Sequence, residues 1–179
     1  MLIRLKNKDK LIIDDFKLKC CIGKNGVKKQ KIEGDNSTPK GTFTIGTFYY
    51  RKDRVIKPFT NLKTKIIKRN TGWCNDPKQK SYNKEIKIKK KVCYEKLFRK
   101  DHKYDYLIVI NYNTKKIIPG KGSAIFIHLT KNYYPTAGCI ALKKQDFIIL
   151  LKLINNKTKI LISLLLSPKI FDPILKYVD

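Results

Sequence analysis

Residues 119–142 read PGKGSAIFIHLTKNYYPTAGCIAL, and this stretch joins two apolar segments that carry one histidine and one cysteine. The first apolar segment, residues 124–127, leads into His128, and the turn-like segment PTAG at 135–138 leads into Cys139. Short apolar runs bounded by glycine and proline predict buried β-strands. We therefore expect a histidine that closes one strand and a cysteine that opens the next, with the rest of the chain folded around them.

Outward from this stretch, the chain predicts a mainly β domain. Alternating or β-branched apolar runs indicate strands, and they cover residues 2–5, 11–16, 18–22, 42–50, 104–110 and 158–163. One helix after the cysteine strand is indicated by apolar residues at helical spacing, namely Phe147, Leu150, Leu151 and Ile154, with Asp146 in the first turn and Asn155-Asn156 at the end. Many strands against one helix favour a β-sandwich-like domain over alternating βαβ units.

The middle of the chain, residues 51–99, has the least regular pattern. Residues 70–83 read NTGWCNDPKQKSYN and are rich in glycine, proline and asparagine, which predicts a loop. Trp73 lies in this segment, and we expect it either to cap the core or to line a cleft. Residues 93–100 predict a short helical turn.

The net charge of +27 is the dominant feature of the composition, and the 179 residues suit one domain. Nearly all of the excess is lysine, whereas base readout in nucleic acids favours the rigid fork of arginine. We therefore predict no specific nucleic-acid binding, although weak attraction to a polyanion such as an acidic cell-wall polymer is compatible with the charge. No apolar run is long enough to predict a membrane span, and the first residues lack the apolar core of a secretory signal peptide.

Five cysteines form neither a CxxC pair nor a zinc-ligand spacing: Cys20, Cys21, Cys74, Cys93 and Cys139. An odd number fits one unpaired, reactive thiol better than a disulfide framework. Cys139 is the candidate, because Gly138 before it leaves room for a substrate carbonyl to approach. Backbone N–H groups around Gly138 and Cys139 can also stabilise an oxyanion.

Two histidines are available as a base for this thiol. His102 lies in the polar segment RKDHK, whereas His128 follows an apolar run. An imidazole beside a cysteine can take the thiol proton and so create the nucleophile. A lone histidine after an apolar run and a lone cysteine are also common packing residues. From the residues alone, the catalytic and the packing interpretations are equally open.

The stretch around His128 and Cys139 resembles the active-site motif of the YkuD-type L,D-transpeptidase family, in which a histidine is followed by Ser/Thr-His-Gly-Cys. Further blocks are similar to the family in the same order along the chain: GDNSTPKG at 34–41, GWCNDP at 72–77 followed by Tyr82-Asn83, Tyr104-Asp105, and GKGSAIF at 120–126. The resemblance covers residues 10–162.

The resemblance implies an L,D-transpeptidase-like β-sandwich over residues 1–162, with one main helix after the cysteine strand and residues 163–179 as a C-terminal extension. In such an enzyme Cys139 would attack the amide between the third residue of a peptidoglycan stem tetrapeptide and its terminal D-Ala. His128 would be the proton donor and acceptor, and Gly138 would belong to the oxyanion hole. Transfer to an amine of another stem would give a 3→3 crosslink.

Two alternatives to transfer stay open at this point. Hydrolysis of the same thioester would make the protein an L,D-carboxypeptidase that trims stem tetrapeptides. A non-enzymatic basic module that binds cell wall or nucleic acid is the other alternative. The resemblance further implies no metal and no organic cofactor, peptidoglycan stem peptides as partners, and the cell envelope or periplasm as the location.

The resemblance also points to substrate-binding residues, namely Trp73, Asp76, Tyr82, Asn83, Ser123 and Thr136. The chain departs from the family motif at Ala137, where the motif has a second histidine, and at Ala141, where it has asparagine or arginine. Polar groups that hold the substrate must therefore come from elsewhere, and residues 73–83 are the first candidate.

Overall fold

The computed structural model describes residues 1–88 and 93–163. This part of the chain contains fourteen β-strands and one α-helix. The strands are β1 (Leu2–Lys6), β2 (Lys10–Ile13), β3 (Phe16–Cys21), β4 (Val27–Lys28), β5 (Thr38–Pro39), β6 (Gly41–Tyr50), β7 (Thr64–Ile66), β8 (Thr71–Cys74), β9 (Glu85–Lys87), β10 (Tyr94–Lys96), β11 (Tyr106–Ile110), β12 (Phe126–Leu129), β13 (Ile140–Leu142) and β14 (Lys159–Ile162). The helix is α1 (Lys144–Leu153).

Eight of the strands form a hydrogen-bonded ring in the order β11-β12-β13-β3-β2-β1-β14-β6, and a β6–β11 pairing closes it. Strand β6 can close the ring because it is ten residues long. Its first half pairs with β14 and its second half pairs with β11. The predicted mainly β domain with one helix is confirmed. The finer prediction of a sandwich of two sheets stays a prediction.

The inner face of the ring carries the main hydrophobic core. In β1, Ile3 and Leu5 are buried while Arg4 and Lys6 are exposed. This alternation is typical of a strand with one face in the core and the other exposed to solvent. Helix α1 follows β13, as predicted, and adds its buried residues Phe147, Leu150 and Leu151 to this core. Asp146 lies in the first turn of the helix, also as predicted, but the helix ends at Leu153 rather than at Asn155-Asn156.

A smaller sheet, in the order β10-β8-β9, packs on the outer face of the ring over a second apolar cluster. Two predictions are wrong here. Residues 70–83 are not all loop, because Thr71–Cys74 is the central strand of this sheet. Residues 93–100 form no helical turn, because Tyr94–Lys96 pairs with that strand. The hydrogen-bond partners of both segments are distant in the sequence, and local composition does not reveal such pairings.

The prediction of one strand over residues 11–16 is also wrong. The chain turns at Asp14-Asp15, and Phe16 already belongs to the next strand, β3. Asp14 has a φ of 46°, a left-handed conformation that aspartate tolerates in tight hairpin turns. The C-terminal extension was predicted over residues 163–179. Residues 164–179 of it lie outside the described part of the chain. In residues 1–88 and 93–163, no helix is long and apolar enough to cross a membrane.

Candidate active site

His128 and Cys139 face the same side of two neighbouring parallel strands. In the β12–β13 ladder, His128 lies opposite Ala141. Cys139 comes two residues before Ala141, so strand alternation directs both side chains to one face. Strand β12 continues to Leu129, so the histidine lies within the strand and does not close it. His128 and Cys139 both line one cleft of about 600 Å³.

The Cys139 thiol is buried and held by the backbone of strand β12 and the loop before it. Its Sγ donates to the Ala124 carbonyl at 3.3 Å and accepts from the Phe126 N–H at 3.3 Å. Burial raises the pKa of this thiol, and the nearby carboxylate of Glu95 raises it further. In the resting protein the sulfur is therefore a protonated thiol at neutral pH.

The His128 imidazole is buried and neutral. Its Nδ1 lies 2.9 Å from the Leu129 carbonyl oxygen, and since a carbonyl can only accept, Nδ1 carries the hydrogen. The unprotonated nitrogen is then Nε2, which has no hydrogen-bond partner in residues 1–88 and 93–163. Burial lowers the pKa of His128 to about 4. A neutral imidazole with a free Nε2 lone pair is the form that can accept a proton.

The resting pair is therefore a neutral thiol and a neutral imidazole. Across the described part of the chain, no hydrogen bond joins His128 to Cys139, and the thiol hydrogen points to Ala124. The Tyr104 ring packs edge-on against the imidazole with centroids 5.2 Å apart, which restricts its rotation. If His128 is the base predicted from the sequence, the thiol hydrogen has to leave the Ala124 carbonyl for the imidazole.

The turn before the cysteine depends on Gly138 and Thr136. Gly138 has a φ of +142°, and a Cβ at this position would lie 2.8 Å from the Ser37 carbonyl oxygen. Its N–H donates to Thr136 Oγ1 at 3.1 Å, and the Thr136 hydroxyl donates to the Cys139 carbonyl at 2.6 Å. Because the Gly138 N–H is already engaged, the Cys139 amide is the better-placed oxyanion donor of the two. The role of Gly138 in an oxyanion hole stays a prediction.

Ser123 and Thr136 are the two predicted substrate-binding residues that line the cleft. The Ser123 hydroxyl donates to Glu33 Oε2 at 2.7 Å, and the Tyr82 hydroxyl donates to the same oxygen. Tyr82 in turn accepts the Gly122 N–H at 3.0 Å. Tyr82 thus supports the cleft wall from behind.

The remaining predicted residues lie outside this cleft. Trp73 packs edge-on against Phe126 with ring centroids 5.2 Å apart, and its Nε1 donates to Asn83 Oδ1. Asn83 also accepts the Ala124 N–H at 3.1 Å and donates to two carbonyls, Tyr112 and Asn113. Asp76 accepts hydrogen bonds within its own turn. The geometry therefore gives Trp73 and Asn83 supporting positions behind Ala124 and Phe126, which hold the Cys139 thiol.

Several polar residues of the cleft wall were not predicted as site residues, namely Lys31, Glu33, Asn75, Glu95, Arg99, Lys103 and Tyr104. Glu95 accepts a hydrogen bond from the Tyr104 hydroxyl, and burial raises the pKa of this carboxyl. Asn75 and Tyr104 lie within sequence blocks that resemble the family and Glu33 adjoins one, which was the available signal. Glu95 had none, because it lies in a strand that was predicted to be helical.

A buried lysine explains why residue 122 in the site is a glycine. Lys31 is 3% exposed and its Nζ lies 2.6 Å from Asp35 Oδ1. Burial opposes ionisation of Asp35, but the hydrogen bonds from Lys31 and from the Ile32 and Ser37 N–H groups together outweigh it and lower the pKa of this carboxyl. A Cβ on Gly122 would lie 2.8 Å from the Lys31 side chain, and one on Gly138 would lie 3.6 Å from its Nζ. In residues 1–88 and 93–163, no three histidine, cysteine or acidic side chains are grouped to hold a metal ion.

A model of the L,D-transpeptidase catalytic domain, YkuD, matches residues 2–162. The chain belongs to this family. The family resemblance predicted from the motifs is thereby confirmed.

A comparison with curated proteins finds no match. Two solved structures match, both of the helical cell shape determining protein Pgp2 from Campylobacter jejuni, one of them a point mutant. Each is 17% identical with a TM-score of 0.49 and covers 91% of this chain. The matches cover 46% and 47% of those chains, so this chain spans just under half of their length.

Proposed function

We propose that this chain is the catalytic domain of a peptidoglycan L,D-transpeptidase that forms 3→3 crosslinks through a thioester on Cys139. One observation carries the proposal. A thiol and a neutral imidazole with a free Nε2 face one cleft from neighbouring strands. This is the pair of groups that acyl transfer through a cysteine requires.

In the acylation step, Cys139 Sγ attacks the carbonyl carbon of the third residue in a stem tetrapeptide. His128 Nε2 takes the thiol proton and then delivers it to the amine of the leaving D-Ala. The S–C bond forms, the C–N bond breaks, and the imidazole returns to neutrality. Because both groups begin neutral, the charged thiolate and imidazolium exist only while the substrate occupies the cleft.

In the transfer step, a side-chain amine of another stem attacks the thioester. Its proton passes to His128 and from there to the departing sulfur, so the free thiol is regenerated. The oxyanion of each tetrahedral intermediate would be met by the Cys139 N–H, and such donors contribute about 3 kcal/mol each. Thr136 maintains this turn through its bonds to Gly138 and Cys139.

The experiment is incubation with a disaccharide-tetrapeptide, followed by mass spectrometry of the products. Crosslinked dimers that have lost one D-Ala are the expected result. Tripeptides alone would identify an L,D-carboxypeptidase instead, and unchanged substrate would contradict both enzymatic functions. We propose the cell envelope as the site of the reaction, because peptidoglycan is found there.

The variants for this experiment are Cys139→Ala and His128→Ala, each expected to abolish the thioester adduct. Cys93→Ala is the matched control, because Cys93 is an exposed cysteine outside the cleft. An adduct of normal mass on the Cys139→Ala protein would contradict the proposed nucleophile. A non-enzymatic basic module would show no adduct on any of these proteins.

A further inference from the structure

The outer surface of strands β1, β2, β3 and β14 carries six exposed cations: Arg4, Lys6, Lys10, Lys17, Lys19 and Lys159. We call these six residues the lysine face. The strand register places Lys10 directly opposite both Lys6 and Lys19. Arg4 and Lys17 both lie opposite Ile12 in the next row. The register therefore stacks like charges across neighbouring strands.

This arrangement destabilises the sheet unless another charge balances it, because like charges directly opposite each other repel. A few cations elsewhere have acidic partners, as Arg51 has in Asp53 and Arg99 has in Asp101. In the part of the chain that the structure describes, none of the six cations forms an ion pair. The acids of this region lie in the turns between the strands, at Asp9, Asp14 and Asp15.

The lysine face is continuous with the candidate active site. Cys21 follows Lys19 by two residues in β3, so the two side chains share a face. Cys21 lies opposite Ala141, and Ala141 lies opposite His128. The cations and the His128–Cys139 pair therefore occupy one outer face of the same ring of strands. Lys19 also contacts the Tyr133 ring at 4.8 Å, in a loop whose neighbouring residues line the cleft.

We propose that the lysine face is an accessory binding surface for peptidoglycan itself, the polymer that carries the substrate. Its stem peptides carry carboxylates, and the amines of lysine are mobile point charges that attract anions without demanding one geometry. The surface would hold the polymer while a stem enters the adjoining cleft. This inference rests on the proposed function for the identity of the polymer, whereas the cationic surface stands on the strand register.

Two other polyanions fit the same surface less well. Proteins that lie on a membrane insert apolar side chains, but the apolar residues between these cations, Leu2, Ile12 and Leu161, are only partly exposed. Proteins that bind single-stranded nucleic acid stack bases on aromatic rings. The aromatic ring that contacts this face, Tyr133, has Lys19 and Lys143 over it.

The test is co-sedimentation with insoluble peptidoglycan sacculi in a Cys139→Ala background, which prevents turnover. A triple variant that replaces Lys6, Lys10 and Lys17 by glutamine leaves the Lys19–Tyr133 contact intact. We expect its binding to be about 10- to 100-fold weaker at low salt, since each lysine contributes electrostatic attraction to an anionic surface. The control replaces Lys78, Lys80 and Lys84, three exposed lysines outside the lysine face, and should bind normally. Equal losses in the two triple variants would overturn the proposal.

A second variant separates binding from folding. Lys10→Glu creates opposite-charge pairs with Lys6 and Lys19, so its melting temperature should rise while its binding to sacculi falls. Unchanged binding by Lys10→Glu would overturn the proposal. The proposal would also be overturned if the triple variant lost affinity for double-stranded DNA or anionic vesicles but kept its affinity for sacculi.

Turnover of a soluble disaccharide-tetrapeptide distinguishes this inference from the proposed function. With Cys139 present, the lysine triple variant should process this small substrate at the normal rate, and a fall as large as the loss of sacculus binding would contradict an accessory role. Lysine-dependent sacculus binding without any turnover of the soluble substrate would support the surface and refute the proposed enzyme.

Discussion

At the scale of single residues, His128 and Cys139 are both kept neutral by burial. Burial lowers the pKa of the imidazole to about 4 and raises that of the thiol. An ion pair formed in the resting state would make the thiol reactive toward any electrophile. In the structure the thiol is instead neutral and bonded to the Ala124 carbonyl.

The buried imidazole should make stability depend on pH. His128 has an ordinary pKa of 6.5 when unfolded and about 4 when folded, so the unfolded chain binds more protons between these values. This contribution to stability is complete above pH 6.5 and is lost as the pH falls toward 4. It amounts to about 3 kcal/mol.

His128→Gln stays neutral and should lack this pH dependence. Urea unfolding of both proteins at pH 7 and pH 4.5 measures the difference. We expect the wild-type protein to lose more free energy of unfolding than the variant between these two pH values. Equal losses would show that His128 is not buried in its neutral form.

Gly138→Ala should disturb the nucleophile more than it disturbs the fold. The added Cβ would lie 2.8 Å from the Ser37 carbonyl and force the turn before Cys139 to shift. We expect a loss of about 1–3 kcal/mol in stability and at least about 100-fold slower acylation, because small displacements of reacting groups have effects of this size.

Gly120→Ala is the matched control for this substitution. Gly120 also has a positive φ, of +77°, but nothing lies within 4 Å of an added Cβ. This variant should show the strain without the collision, and its acylation rate should stay near normal. Mass spectrometry of the acyl adduct over time, together with thermal melting, checks both variants.

At the scale of elements, the sheet of β8, β9 and β10 and the loop between β8 and β9 support the segment that holds the Cys139 thiol. Ala124 has a φ of 53°, which is unusual for alanine, and its N–H is held by Asn83 while its carbonyl holds the Cys139 thiol. Backbone strain of this kind persists where surrounding structure enforces it. Trp73 and Asn83 provide that enforcement here.

Asn83→Ala should therefore affect both stability and activity. It removes the acceptor of the Trp73 and Ala124 N–H groups and leaves two buried donors unpaired. We expect about 2–4 kcal/mol of destabilisation and slower acylation, measured by chemical unfolding and by adduct formation. Asn7→Ala is the control, since Asn7 is exposed with a similar φ of 53°. Equal effects of the two substitutions would show that backbone conformation, rather than the hydrogen bonds, matters.

At the scale of the whole molecule, β6 connects the two halves of the ring. Phe48 in this strand is fully buried and packs against Tyr50, Tyr106 and Phe147, so it joins two strands and the helix. A side chain in this position should contribute to the stability of the entire domain and not of one element.

Phe48→Ala should cost about 3–5 kcal/mol of unfolding free energy because it leaves a cavity in the core. Phe16→Ala, at a phenylalanine that is 43% exposed, should cost much less. Chemical denaturation followed by fluorescence and by circular dichroism measures both. A small effect of Phe48→Ala would mean that the two halves of the ring are stable separately.

The strands that could be predicted are those in which apolar and polar residues alternate or β-branched residues are frequent, such as β6. The helix could also be predicted, because its apolar residues recur at helical spacing. Strands β8 and β10 could not be predicted, because glycine, cysteine and charged residues become strand there only through pairing with each other. In the site, His128 and Cys139 were recognisable by residue type and spacing. Glu95 was not, because folding brings it to the cleft from a distant strand.

By itself, the sequence determined the mainly β class, the helix after the cysteine, the family, and the candidate nucleophile and base. These properties depend on residue type and on spacing within short segments, which the sequence displays directly. Only the tertiary structure decided that the thiol and imidazole rest as neutral groups, that Trp73 and Asn83 support rather than line the cleft, and that the lysines align across strands. Burial, hydrogen-bond partners and cross-strand register are relations between distant residues, and they exist only once the ring of strands has closed.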